Sequence, residues 1–202
     1  MISSLLKLFG CSGQEKKMTD EESDKMQKLF EDFEKRTIYK VLTVDIIKNI
    51  KDENLEQAII DNIQTKFNKD FSNEEEVVRS LSEGKKAIYV TWILEAEVNN
   101  GGFNQFYFNS SGQLADLGED AFKTIGASQF ADLVAQANSI YDVTKENLEK
   151  YNDGTIESFS KSYDQNPLND LDDKFYKLYK HEPLDQIKVQ YIRNNVKEFV
   201  TD

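Results

Sequence analysis

The sequence predicts an all-α protein: a single compact multi-helix domain with a long buried central helix and a flexible N-terminus. Three observations lead there. Two Pro and nine Gly among 202 residues are too few for the many turns of a β-sandwich or barrel. Apolar residues recur at the i, i+3, i+4 spacing of helices, and no sustained apolar–polar alternation appears. Thirteen Phe and nine Tyr supply enough bulky side chain to fill a core despite a charged fraction of 31%.

Residues 1–18 read as a flexible segment. Its opening run ends at Cys11 and faintly resembles a lipoprotein signal, but the run is short and Lys7 interrupts it. Residues 19–70 form an N-terminal helical section. Asp20 or Ser23 caps a helix carrying Met26, Leu29, Phe30 and Phe33, and Leu55, Ala58, Ile59, Ile63 and Phe67 mark a later one. Residues 71–202 form the larger helical domain. Ser72-Asn73 followed by Glu74-Glu75-Glu76 is a capped, acid-rich helix start, and Gly84 is expected to bend or break the chain. The segment from Ala87 to Val98 is apolar on more than one side, which marks the central helix. It should stop at Asn99-Asn100-Gly101-Gly102.

Phe103 to Asn109 reads as an aromatic helical turn. Leu114, Leu117, Ala121, Phe122 and Ile125 mark a helix closed by Gly126, and Ser128 caps the next. Breaks are expected at Thr144, Asn152-Asp153-Gly154 and Asn166-Pro167, before two last helices through Phe175 and Tyr191.

The net charge is −12 and uneven. Residues 91–143 hold seven acids against the single base Lys123, a local charge of −6. That balance repels DNA, RNA and anionic membranes and attracts basic proteins. One Cys and one His exclude a multi-thiolate zinc site and leave a nucleophile–His triad resting on His181 alone, which reads as a surface residue near a helix end. No phosphate loop or calcium loop is present, so neither cofactor nor metal is expected, and no catalytic residue is assigned. Glu95 and Glu97 point to different faces of the central helix, and Glu95 reads as a buried acid satisfying helix-end N–H groups. A cytoplasmic, non-enzymatic binding protein is expected. A homodimer is compatible with so many aromatics.

The most distinctive stretch runs from Trp92 through Glu95, Asn99, Asn100, Gly101, Gly102, Phe103 and Gln105 to Asn109. Its four amides and four aromatics between Asn99 and Phe108 predict a rigid corner, with the amides serving backbone groups at a helix end, or else a polar recognition surface held by that corner. The box E-V-N-N-G-G-F-N-Q-F resembles the signature of the bacterial DMP-type DNA-mimic protein family. Ala121 to Ala127, Leu171 to Tyr176, and Tyr191 to Asn195 with Phe199 resemble its later elements, so the likeness covers about residues 75–200.

That resemblance implies an all-helical fold and an acidic protein that occupies the DNA-binding surface of a transcription factor without itself binding nucleic acid. Asp116, Glu119 and Asp120 have the spacing to imitate a phosphate row, with Asp132 and Asp142 on the neighbouring element completing an acidic face. Two other readings stay open: an immunity or antitoxin-like protein neutralising one toxin, and an enzyme or small-molecule binder centred on Glu95, Asn99, Asn104 and Gln105.

Overall fold

The apolar stripes of the sequence become helices, several of them packed on one long central helix. The computed structural model describes residues 19–151, 153, 155–164 and 166–201; the predicted segment 1–18, with Cys11, lies outside them. Among the described residues the regular structure is ten α-helices and three 3-10 turns, with no strand.

The helices are α1 (Asp20–Glu34), α2 (Val44–Asn49), α3 (Asp52–Gln64), α4 (Glu74–Ser80), α5 (Glu83–Phe108), α6 (Ala115–Ile125), α7 (Ser128–Leu148), α8 (Ile156–Lys161), α9 (Asn169–Leu178) and α10 (Leu184–Asn194). No helix among the described residues is long and apolar enough to cross a membrane.

The centre is α5. Ile88, Val90, Leu94, Val98, Phe103 and Phe106 are all fully buried along it, and α3, α6 and α9 pack on it. Burying one such side chain stabilises the fold by roughly 1.5–3 kcal/mol, so this helix dominates the core. The core is continuous: Leu42, Ile47, Leu55, Ile59 and Ile63 from residues 19–70 belong to the same cluster as Phe122, Phe130 and Phe175. Thr201 donates its N–H to Leu42 O at 2.8 Å, tying the chain after α10 to the segment before α2.

Several local expectations need correction, each because a distant side chain intervenes. Gly84 does not bend the chain. The extended residues Leu81 and Ser82 make the break, and Gly84 sits in the first turn of α5. Its N–H donates to Glu198 Oε2 at 2.7 Å, and a Cβ there would stand 2.4 Å from that oxygen. Asn73 does not cap α4, because its Oδ1 accepts from the Asn68 N–H and its Nδ2 donates to Lys66 O.

Nor does Ser128 supply the cap of α7. The Glu182 carboxylate accepts from the N–H groups of Gln129 and Phe130 instead, at 3.0–3.2 Å, where an anion suits the helix dipole. Thr144 does not interrupt α7, since its hydroxyl bonds back to Ile140 O at 2.8 Å inside the helix. Asn152 and Gly154 lie outside the described residues, while the break at Asn166-Pro167 separates α8 from α9. His181 is exposed, three residues beyond α9.

Candidate functional site

The corner begins with two glycines that leave the helical region inside α5. Gly101 lies at φ −153°, ψ 27° and Gly102 at φ 73°, ψ −178°, so the helix halts and restarts at once. A restart exposes free N–H groups and a halt exposes free carbonyls. Three side chains from later helices or turns satisfy them. Asp172 Oδ1 accepts the Phe103 N–H at 2.8 Å, Tyr176 donates its hydroxyl to Val98 O at 2.8 Å, and Tyr163 donates to Gly101 O at 2.7 Å. Phe175, between Asp172 and Tyr176, packs edge-on against Phe103.

The resemblance at Leu171 to Tyr176 therefore has a physical meaning: that element clamps the broken helix. The amides do not serve backbone groups as expected, because these three residues already occupy them. Asn99 donates to Tyr179 at 2.8 Å, and Asn104 donates to Ser162 and accepts from Asn166, both at 2.7 Å. Gln105 and Asn109 donate to Glu97 Oε2 at 2.7 and 2.9 Å, and Ser111 donates to its Oε1 at 3.0 Å. Trp92 is half-buried and tilted against Tyr89, and Asn100 is exposed.

Glu95 is 1% exposed, as the reading of a buried acid requires, yet helix-end N–H groups are not its partners. Lys188 Nζ donates to its Oε2 at 2.6 Å and Tyr179 to its Oε1 at 2.8 Å, while Lys188 also pairs with Glu56 of α3. Burial alone would depress the Lys188 ammonium, but Glu56 and Glu95 together hold it above its ordinary value. Burial raises the Glu56 carboxyl against the pull of Lys188, and burial beside Glu95 raises the Tyr179 hydroxyl. A wholly buried ammonium tied to two carboxylates can bind three helices together; it offers no group to a substrate.

Sequence reasoning reached Asp172 and Tyr176 only as parts of the Leu171 to Tyr176 element and assigned no role to Tyr163, Tyr179, Lys188 or Glu56. Lys188 did leave a signal, for it stands between Leu184 and Ile192 on the buried stripe of α10.

Burial raises the Asp172 carboxyl to about 6, against the lowering effect of the Phe103 N–H. A folded-state value above the ordinary 3.8 means the folded protein holds this proton more tightly than the unfolded chain. That contribution is greatest below about pH 4 and fades as pH rises through about 6. Asp172→Asn keeps an oxygen for the Phe103 N–H and removes the titration. Its melting temperature should gain on the parent's as pH rises from 4 to 7, a trend that parallel melts would detect or refute.

The acidic candidates lie on α6 and α7, which pack against each other around Gly118 and Val134. Arg79 of α4 forks onto Asp116 with two bonds of 2.9 Å, and this hydrogen bonding holds the Asp116 carboxyl below its ordinary range. Lys123 pairs with Glu119, and Lys145 lies 3.8 Å from Asp142. Asp120 and Asp132 are exposed and carry no ion pair among the described residues. Lys123 is raised first by Glu119 and further by Asp120 and Asp132, so acids from two helices face one cation. Glu119 and Asp120 share α6 with Lys123, and Asp132 lies on the packed α7; Asp116 faces Arg79, and Asp142 lies near Tyr107 on the later half of α7. Among the described residues no group of His, Cys, Asp and Glu is arranged to hold a metal.

The family model described as DMP19-like protein matches residues 79–195, more than half of the chain. The chain belongs to the DMP19-like family. No curated protein and no solved structure matches it. The DMP19-like match takes in the corner, its clamp from Tyr163 to Tyr176, and both Glu95 and Lys188. Glu56, which completes the buried charge cluster, precedes the DMP19-like residues, as does all of α1 to α3.

Proposed function

We propose that this chain is a non-enzymatic acidic binding protein that occupies the nucleic-acid site of a basic DNA-binding protein through α6 and α7. Membership of the DMP19-like family and the −12 charge support this reading. The observation that carries it is that Asp120 and Asp132, exposed on two helices packed together, have no ion pair among the described residues.

Magnitudes limit the imitation. Duplex DNA carries a charge about every 1.7 Å of axis, so the roughly 16 Å rise of α6 corresponds to about nine phosphates. Three acids and one lysine on α6 stand in for a few of those, which suits a partner that grips a short stretch of backbone. Asp120 and Asp132 carry the test because they have no cation of their own among the described residues.

Immobilised protein should capture basic proteins from a native lysate, and excess duplex DNA should release them. Replacing both Asp120 and Asp132 by Asn should weaken capture without changing the melting temperature. Capture that persists under excess duplex would overturn the mimic reading, and a single such partner would favour toxin neutralisation.

A further inference from the structure

We propose a second interaction surface on α1: a docking face for a basic amphipathic helix of another protein. Met26, Leu29, Phe30 and Phe33 follow the i, i+3, i+4, i+7 spacing of a helix that packs on something, yet no described side chain of α1 is buried. Phe30 is 47% exposed. In the non-helical chain that follows, Ile38 at 52% and Val41 at 58% are also exposed, so residues 30–41 hold three of the six exposed large hydrophobics of the described chain. Soluble proteins seldom leave such a group uncovered without a use for it.

Anchoring points the same way. Arg36 donates twice to Asp61 at 2.7 and 2.8 Å and once to Phe33 O at 2.7 Å, which fixes the end of α1 to α3. Between them opens a cleft of about 420 Å³, lined in part by Asp32, Thr37, Tyr39, Asn54 and Gln57. Asp32 and Arg36 thus place the end of α1 on the rim of this cleft.

Charge selects the occupant. Seven acids and two lysines give α1 a charge of −5, and Asp24, Glu31, Asp32 and Glu34 flank the stripe. A second copy would set −5 against −5, whereas a helix with an apolar face and Lys or Arg on its flanks meets both features. This surface is carried by different elements from the α6–α7 face, and the two proposals can fail separately.

The test uses a fluorescein-labelled 14-residue leucine–lysine peptide with helical apolar spacing, alongside the same residues in scrambled order. The helical peptide should bind the full chain. Affinity should fall at least about tenfold with Phe30→Glu or with the scrambled order, since one buried Phe is worth that much. Phe30 is half-exposed, so the variant should keep its helical circular dichroism.

Equal binding of the scrambled peptide, or equal loss on replacing Asp120 and Asp132, would show charge attraction alone and overturn the proposal. So would a dimer in light scattering that Phe30→Glu dissolves, which would assign the face to a second copy. Binding that appears only after Leu5→Glu with Leu8→Glu would overturn it in favour of the chain's own opening segment.

Discussion

Replacing Lys188 by Met should destabilise the protein by about 3–5 kcal/mol, the usual cost of removing one partner from a buried ion cluster. For a chain of this size that corresponds to roughly 6–20 °C in melting temperature. Methionine fills nearly the same volume, so the loss is electrostatic: Glu95, 1% exposed, and the half-buried Glu56 would be left without their cation. The same change combined with Glu56→Gln and Glu95→Gln should recover much of the loss, because no uncompensated charge is then left. An unchanged melting temperature for Lys188→Met alone would mean the cluster is not closed to water as described.

The pH dependence has a defined sign. The Lys188 value is raised above 10.5, so its stabilisation is complete below that pH and is lost as pH climbs beyond it. The Glu56 value is raised above 4.5, so the unmodified protein loses some stability as pH rises through and just beyond that point. Without Lys188 the Glu56 carboxyl loses the pull that lowers it and favours the neutral form more strongly. The deficit of Lys188→Met should therefore shrink as pH falls toward 4.5 and widen toward neutrality.

What the sequence carried, and what it could not, follows from the range of each interaction. The apolar stripe of α5 and the Asn-Asn-Gly-Gly break depend on neighbours within a few residues, and both were readable. Satisfaction of that break was not. Asp172 lies 69 residues beyond Phe103, Tyr176 lies 78 beyond Val98, and Tyr163 lies 62 beyond Gly101. Composition suggested that amides would serve the backbone; the fold assigns that work to one carboxylate and two phenols.

The acidic face shows the same division. Counting carboxylates gave −6 over residues 91–143, but Arg79 reaches Asp116 from outside that window. Which acids stay uncompensated is a property of packing. Lys188 went unread for the same reason, although its place in line with Leu184 and Ile192 is a signal that could have marked it as buried.

Gly102→Ala should be the most damaging of the glycine substitutions, at more than about 3 kcal/mol. Two costs coincide there. The backbone at φ 73°, ψ −178° belongs to a region held almost only by glycine, with a strain of order 1–3 kcal/mol for other residues. A Cβ would also stand 2.2 Å from Asp172 Oδ2, forcing away the carboxylate that caps Phe103, a cap worth about 1 kcal/mol. Gly126→Ala separates the two terms, because Gly126 has φ 90° and nothing within 4 Å of the added carbon. It should cost about 1 kcal/mol, from backbone strain alone.

Urea denaturation of both variants measures the difference, and adding Asp172→Ala to Gly102→Ala identifies its source. If the clash dominates, the double variant should be more stable than the sum of the single losses predicts. Equal costs at Gly102 and Gly126 would mean that Asp172 does not clamp the corner, and the signature would then be a backbone turn with no long-range partner.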